Sequence, residues 1–237
     1  MQYITLMEKF WKKEQNINYS KTEEVMECKK EMLQLYAVTD RAWEVKGNFL
    51  EQIEEALKGG ITCLQLREKE MKENEFLEEA LKVKKICEKY NTPLIINDNV
   101  NVAIKCRADG IHVGQNDMSV SEIKKIIPNS MIVGVSVQTL EQALEAEKSG
   151  ANYLGVGAVF STNTKLDATV LQREELRKIC ENTTIPTVAI GGIKKDNMKN
   201  LIGTGIDGVA LVSAIFSVDD IKKECEDLLN LSKQYFK

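Results

Sequence analysis

The chain has 237 residues, 43% hydrophobic and 29% charged, which is an ordinary composition for a globular protein with a sizeable core. Its formal net charge of −4 argues against a nucleic-acid partner or an anionic membrane surface, because both require a concentrated basic face. No stretch approaches the ~20 apolar residues of a membrane span, and no signal peptide is recognisable.

The six cysteines are scattered through apolar runs without a CxxC pair, and the chain has one histidine, His112. This pattern gives no zinc ligand set and no secreted disulfide framework. It predicts buried, free thiols and a cytoplasmic location.

Residues 1–34 do not share the pattern of the rest of the chain. Phe10 and Trp11 precede a segment rich in Glu and Lys, which predicts an extra N-terminal helical segment. Two interpretations stay open: this extension closes the bottom of the domain, or it is a mobile appendage.

From residue 35 onward, short apolar runs alternate with amphipathic stretches. The apolar runs are continuous, as expected for parallel strands buried on both faces. The predicted strands are 35–39, 63–67, 93–97, 110–113, 132–136, 153–156, 187–190 and 208–212. The predicted helices are 48–58, 74–90, 100–106, 119–127, 140–149, 173–181, 195–202 and 219–235, with Leu77, Leu81, Lys84 and Cys87 on the inward face of the second.

Eight alternations permit a closed barrel or an open doubly wound sheet. The first strand lacks the glycine-rich dinucleotide fingerprint, since it continues Thr39-Asp40-Arg41-Ala42. We therefore predict an α/β fold, a (β/α)₈ TIM barrel over residues 35–237. The turns beginning at Gly60, Gly150 and Gly205 resemble one another, and Ala108-Asp109-Gly110 resembles a shortened member of the set.

In such a barrel the active site lies at the carboxyl ends of the strands, and polar residues gather there in this sequence. Gly191-Gly192 and Val212-Ser213 follow the last two predicted strands and predict a phosphate site on backbone N–H groups. The alternative is that the two glycines only form a tight turn. Arg67, Lys69 and Lys165 predict a second anion site, the alternative being a surface ion-pair patch.

Asp98 and Asp117 follow neighbouring predicted strands. Either alone is better explained as a helix cap or turn residue. As a pair beside Arg67 and Lys69 they favour a site for one Mg²⁺ and a diphosphate. For His112, a hydrogen-bonded structural role is favoured over a catalytic one.

Together these residues resemble the thiamine-phosphate synthase family from Leu35 to Phe216. The resemblance is carried by a series of motifs in a fixed order. These are Tyr36-Ala37-Val38-Thr39-Asp40-Arg41, Gln65-Leu66-Arg67-Glu68-Lys69, Ile96-Asn97-Asp98, Gly110-Ile111-His112-Val113-Gly114-Gln115 with Asp117, Gly134-Val135-Ser136, Ser161-Thr162-Asn163-Thr164-Lys165, Ala189-Ile190-Gly191-Gly192-Ile193 and Val212-Ser213-Ala214-Ile215.

The resemblance implies a transferase that joins a pyrimidine diphosphate to a thiazole phosphate, or to its carboxylated precursor, through a dissociative Mg²⁺-assisted reaction. It assigns the pyrimidine diphosphate to Gln65, Arg67, Lys69 and Asn97, with Ser136 at the pyrimidine, and one Mg²⁺ to Asp98 and Asp117. It assigns the thiazole phosphate to Thr162, Asn163, Thr164, Gly192, Val212 and Ser213, with Lys165 bridging towards the diphosphate. The expected catalytic residues are Lys165, Arg67 and Ser136, and a homo-oligomer is left open.

Two alternatives differ in chemistry. A thiazole tautomerase on the same scaffold carries a histidine at the position of Ala158 and lacks both metal aspartates, whereas this chain has alanine there and keeps Asp98 and Asp117. A non-catalytic phosphate-binding barrel would need only the site at Gly192 and Ser213.

Overall fold

The computed structural model describes residues 27–161 and 170–236, in which eight parallel strands close into a barrel in sequence order. The strands are β1 (Leu35–Val38), β2 (Cys63–Leu66), β3 (Leu94–Asn97), β4 (Gly110–Val113), β5 (Ile132–Val137), β6 (Tyr153–Gly157), β7 (Thr187–Ile190) and β8 (Gly208–Leu211). The α-helices are α1 (Phe49–Lys58), α2 (Glu73–Lys89), α3 (Val100–Lys105), α4 (Val120–Ile123), α5 (Leu140–Lys148), α6 (Arg173–Asn182), α7 (Ser213–Phe216) and α8 (Ile221–Tyr235). Short 3₁₀ helices span Lys30–Leu33, Arg41–Lys46 and Met198–Leu201. The predicted (β/α)₈ barrel is confirmed.

Two apolar cores follow from this closure. The larger lies between the strands and the surrounding helices, and the smaller fills the interior of the barrel with Tyr36, Val38, Cys63, Ile95, Ile132, Tyr153, Val188 and Ala210. Cys28, Met32 and Leu33 belong to the interior core, and Leu33 is fully buried. The described end of the N-terminal segment therefore packs into the barrel. Residues 1–26 lie outside the described part of the chain.

The turn before each even-numbered strand clamps the start of the strand that precedes it. The side-chain oxygen of one turn residue accepts a hydrogen bond from the backbone N–H of a residue at the start of the preceding strand. The backbone N–H of the turn residue donates in return to the carbonyl oxygen of that strand residue. The pairs are Thr62 with Leu35, Asp109 with Leu94, Asn152 with Val133 and Asp207 with Thr187, each at 2.8 Å from side chain to N–H. Two residues earlier the backbone is left-handed, at Gly60, Arg107, Gly150 and Gly205. The internal repeat predicted from the glycine turns is therefore a unit of two consecutive strands that occurs four times around the barrel.

Some predicted elements were wrong in extent or face. The predicted helix 195–202 is only a 3₁₀ turn, because Asn197 uses its side chain to bind the N–H of Lys194 and the carbonyl oxygen of Gly192. The predicted helix 119–127 ends at Ile123, a few residues before Pro128. In α2 the buried stripe is Phe76, Ala80, Val83 and Cys87, whereas Leu81 is 42% exposed. Lys84 is not part of that stripe, and its Nζ lies 2.7 Å from Oδ2 of Asp109 in an ion pair.

Candidate active site

The segment after β2 presents two cations at the mouth of the barrel. Arg67 is half-buried, and its guanidinium lies 3.8 Å from the Asp40 carboxylate. The backbone N–H of Arg67 donates to the Thr39 hydroxyl at 2.9 Å. Glu68 points elsewhere and pairs with Arg41 at 2.8 Å. Lys69 is exposed and has no ion-pair partner among the described residues. Glu68 therefore does not neutralise Arg67 or Lys69, because its carboxylate is paired with Arg41.

Asp98 and Asp117 approach each other where β3 and β4 end. Asp98 follows β3 with a left-handed φ of 60°, and its N–H donates to the carbonyl oxygen of His112 at 2.9 Å. Oδ2 of Asp117 accepts the N–H of Gly114 at 2.7 Å. Left-handed backbone is uncommon for a residue with a Cβ, and Asp is among those that tolerate it best. Neither carboxylate caps the helix that follows, since Asn99 and Ser119 occupy the cap positions of α3 and α4.

The proximity of the two carboxylates changes the acidity of Asp98. Partial desolvation and the charge and hydrogen bonding of Asp117 raise the pKa of Asp98 from 3.8 to about 6. The hydrogen bond from Asn97 and the positive charge of Arg67 act in the opposite direction. Two carboxylates held this close are stabilised by a shared proton or by a cation.

This donor set fits Mg²⁺. The described residues contain no group of three or more His, Cys, Asp or Glu side chains placed to hold a metal ion. Mg²⁺ needs no such cage, because it retains water and is commonly held by one or two carboxylates together with substrate phosphate oxygens. Zn²⁺ normally requires at least three protein ligands, so the pair does not suit it.

A chain of buried polar side chains runs through the barrel interior from β2 to β5. Nε2 of Gln65 donates to the hydroxyl of Tyr36 at 2.9 Å, and the Tyr36 and Tyr153 hydroxyls are 2.8 Å apart. The Tyr153 hydroxyl is 3.0 Å from Nδ1 of His112, whose Nε2 is 2.8 Å from Oγ of Ser136. Burial lowers the pKa of His112 to about 4. His112 is thus a neutral residue with both ring nitrogens hydrogen-bonded, which agrees with the structural role favoured for it in the sequence analysis.

The loops after β7 and β8 lie at the same end of the barrel. Gly191 and Gly192 are both left-handed, with φ of 100° and 65°. A Cβ on Gly191 would lie 2.4 Å from the Cβ of Ala158, and one on Gly192 would lie 2.3 Å from the carbonyl oxygen of Ser161. Glycine is therefore required here by a close approach of the loop after β6. Val212 and Ser213 begin α7, whose first N–H groups have no acceptor within the helix.

The structure brings Gln65, Arg67, Asn97, Asp98, Asp117 and Ser136 to one end of the barrel, with Gly192, Val212 and Ser213 at that end as well. Thr162, Asn163, Thr164 and Lys165 lie outside the described residues.

Sequence reasoning gave no role to Tyr36, Tyr153, Gln115 or Asn197. Gln115 donates to the carbonyl oxygen of Ser136 at 2.8 Å. One signal was available for Tyr153, because a glycine inside a buried strand often marks the close approach of a neighbour. A Cβ on Gly134 would lie 2.0 Å from Cζ of Tyr153, and one on Gly155 would lie 3.1 Å from Cε1 of His112.

Fold and site together define a class: a (β/α)₈-barrel enzyme with cations and paired carboxylates at the carboxyl ends of its strands, suited to phosphorylated small molecules. A family model described as thiamine monophosphate synthase matches residues 35–215. The chain belongs to the thiamine monophosphate synthase family.

Individual relatives agree with this assignment. The thiamine-phosphate synthase of Clostridium acetobutylicum is 46% identical over 200 residues, 84% of this chain and 95% of that protein. The thiamine-phosphate synthase of Clostridium beijerinckii is 49% identical over 196 residues, 83% of this chain and 94% of that protein. The solved thiamine phosphate pyrophosphorylase from Pyrococcus furiosus superposes with a TM-score of 0.81 at 41% identity, covering 88% of this chain and 99% of that one. The predicted family and its enzyme class, a transferase of thiamine biosynthesis, are confirmed.

No helix among the described residues has the length and apolar character needed to cross a membrane.

Proposed function

We propose that this site joins a pyrimidine diphosphate to a thiazole phosphate, releasing diphosphate and forming thiamine phosphate. The observation that carries the proposal is the facing pair Asp98 and Asp117 with Arg67 beside it, at the catalytic end of a barrel of this family. A second anion site, at Gly192 and Ser213, is needed only if two phosphorylated molecules bind together.

The proposed binding roles follow from the charges of the side chains. Arg67 and Lys69 hold the diphosphate, with Gln65 and Asn97 as polar contacts of the same substrate and Ser136 at the pyrimidine. Arg67 is suited to forked contacts with two phosphate oxygens, and Lys69 acts as a mobile point charge. Gly192, Val212 and Ser213 hold the thiazole phosphate together with Thr162, Asn163 and Thr164.

Asp98 and Asp117 are the proposed ligands of one Mg²⁺, and a bound Mg²⁺ would neutralise charge on the departing diphosphate. Without a cation the two aspartates would repel a diphosphate. Arg67, Lys69 and Lys165 then offset the remaining negative charge from the protein side. Lys165 is proposed to act mainly where charge accumulates as the carbon–oxygen bond breaks.

The proposed chemistry is dissociative. Diphosphate leaves with the bonding electron pair, a resonance-stabilised pyrimidine-methyl cation remains, and the lone pair of the thiazole nitrogen forms the new carbon–nitrogen bond. No protein nucleophile or strong base is needed, so the chain has to supply charge and positioning. This agrees with a site whose single histidine is buried, neutral and already bonded on both ring nitrogens.

The tautomerase alternative is disfavoured by the same residues. Ala158 is buried against Gly191 and carries no titratable group. Asp98 and Asp117, the proposed metal ligands, are both present and lie close together. A non-catalytic phosphate binder would have no use for the Asp98–Asp117 pair.

The test is to mix the protein with both phosphorylated substrates and Mg²⁺ and to follow thiamine phosphate and diphosphate together. Equimolar appearance of the two products is expected. Isomerisation of the thiazole without diphosphate release would indicate the tautomerase, and binding without turnover would indicate the non-catalytic barrel.

A cytoplasmic location is part of the proposal. All six cysteines lie in the described residues, five of them buried, and none is in a disulfide. Free thiols of this kind persist in a reducing compartment. Whether the protein forms a homo-oligomer is settled by its mass in solution.

A further inference from the structure

The buried chain from Gln65 to Ser136 has an ordered set of hydrogen-bond donors. At its inner end, the Gln65 amide donates to the Tyr36 hydroxyl, so the Tyr36 proton must be directed to another acceptor. The neighbouring groups are the Tyr153 hydroxyl, 2.8 Å away, and the thiol of Cys63. Sulfur is a weak acceptor, so Tyr36 donates to Tyr153.

The order continues from Tyr153 to the end of β5. The Tyr153 hydroxyl, having accepted from Tyr36, donates to Nδ1 of His112. The His112 ring is buried and both of its nitrogens are bonded to hydroxyl groups rather than to a carboxylate, so the ring is neutral and has one N–H and one lone pair. With Nδ1 accepting, Nε2 carries the proton and donates to Oγ of Ser136. The proton of the Ser136 hydroxyl is then directed away from the histidine.

Ser136 is half-exposed at the mouth of the barrel, whereas Tyr36, Tyr153 and His112 are buried. Its backbone is held by Gln115, whose side chain binds the Ser136 carbonyl oxygen. Gly134 and Gly155 leave the space that the rings of Tyr153 and His112 fill. The sequence therefore provides both the polar chain and the room for it.

We propose that Tyr153 and His112 are positioning residues that fix the Ser136 hydroxyl as a hydrogen-bond donor towards an acceptor atom of the pyrimidine diphosphate. Tyr153 is the residue that donates to His112, and Tyr36 and Gln65 continue the same order of donors to the opposite wall of the barrel. The identity of the acceptor rests on the proposed function, but the tautomer of His112 does not. Preorganised donation requires no rearrangement of the hydroxyl when substrate binds or reacts.

The tautomer can be observed directly, because His112 is the only histidine of the chain. The full chain, purified without a histidine tag, is labelled with ¹⁵N-histidine and studied at pH 7 without substrates. Long-range correlations from Hδ2 and Hε1 distinguish Nε2 from Nδ1. We expect a protonated Nε2 and an unprotonated Nδ1. A protonated Nδ1, or a charged ring, would overturn the proposal and leave the synthase reaction untouched.

Two matched variants test the source of the order. Tyr153→Phe removes the donor to Nδ1 and is expected to give a mixture of tautomers. Tyr36→Phe removes a buried hydroxyl one step further away and is expected to retain the protonated Nε2, because Tyr153 still donates to His112. An unchanged single tautomer in folded Tyr153→Phe would show that Tyr153 does not set it.

Kinetics then connect the tautomer to the reaction. Tyr153→Phe is expected to lower kcat/KM for the pyrimidine diphosphate by roughly fivefold or more, the worth of one hydrogen bond, with an unchanged KM for the thiazole phosphate. Tyr36→Phe should lose less. Tyr90→Phe, whose hydroxyl contacts Glu54 at the surface, should match wild type. Equal losses in Tyr153→Phe and Tyr36→Phe would reduce the chain to a packing role and overturn the proposal.

Discussion

The ring of Tyr153 on β6 occupies the volume that any side chain at Gly134 on β5 would need. A Cβ at position 134 would lie 2.0 Å from Cζ of Tyr153 and 2.4 Å from its hydroxyl oxygen. The two residues are direct neighbours in the register of the barrel. The glycine of the Gly134-Val135-Ser136 motif is thus explained by an aromatic ring on the next strand.

Gly134→Ala is expected to destabilise the protein by roughly 1–3 kcal/mol, the usual cost of overpacking a core. In a Tyr153→Leu background, which lacks the clashing ring atoms, the same substitution should cost much less. Urea denaturation of the two single variants and the double variant measures this coupling. Equal costs in both backgrounds would mean that Tyr153 is not the obstruction.

Asp98→Asn is expected to raise the stability of the metal-free protein at pH 7. The folded pKa of Asp98, about 6, lies above its ordinary 3.8, so its contribution is fully present below pH 3.8 and is lost as pH rises through 6. Asparagine avoids that loss. Because the group is solvent-accessible, screening limits the gain to about 1 kcal/mol, or roughly 2–4 °C in Tm. The gain should vanish at pH 4 when thermal unfolding is followed in EDTA.

The same aspartates should control the dependence of activity on Mg²⁺. Asp98→Asn and Asp117→Asn are each expected to weaken Mg²⁺ binding and slow diphosphate departure, with partial rescue at high Mg²⁺. The double variant should show less than the sum of the two losses if both side chains bind one ion. Rate is titrated against Mg²⁺ for wild type and all three variants, and four identical curves would remove the metal assignment.

Lys165→Ala is expected to lower kcat by on the order of a hundredfold while changing the KM for the thiazole phosphate much less. A cation near the departing diphosphate acts most strongly when charge accumulates in the transition state. Lys125→Ala, at an exposed position on the barrel exterior, is the control. A wild-type kcat in Lys165→Ala would place this lysine outside the site.

Asp109→Ala is expected to cost roughly 1–3 kcal/mol, because it leaves the buried N–H of Leu94 without its side-chain acceptor. Asp109→Asn should cost less, since an amide oxygen performs the same task at Asn152. Both variants lose the ion pair with Lys84, so the difference between their free energies of unfolding measures the hydrogen bond to the Leu94 N–H alone. Asp227→Ala, which removes surface ion pairs only, should be nearly neutral in urea denaturation.

Two truncations should differ sharply. Deleting residues 1–26 is expected to leave kcat intact, because no motif residue lies there. Deleting residues 1–34 should destabilise the barrel severely, because it removes Met32 and Leu33 from the interior core and Lys30 from its 2.8 Å ion pair with Asp207. Activity and Tm of both proteins are the measurements. A large loss of kcat in the folded shorter deletion would show that residues 1–26 serve the site.

The sequence by itself determined the order of strands and helices and the end of the barrel at which the predicted site residues gather. Continuous apolar runs separated by amphipathic stretches indicate a buried parallel sheet, the missing dinucleotide fingerprint favours the closed barrel over the open sheet, and polar residues after each run mark its carboxyl end. The motifs also identified the family, because their residues and their order along the chain can be read without knowing how they are arranged in space.

Only the tertiary structure decided which side chains meet across the barrel. Tyr36, Tyr153 and His112 are far apart in sequence and come together because β1, β4 and β6 direct them into one interior. Likewise, Arg107 takes the left-handed position held by glycine in three equivalent turns, which no pattern of residue types announces. Periodicity indicates that an element has a buried face, although in α2 it selected the wrong stripe of residues. Contacts between distant strands depend on closure and register, which are properties of the whole sheet.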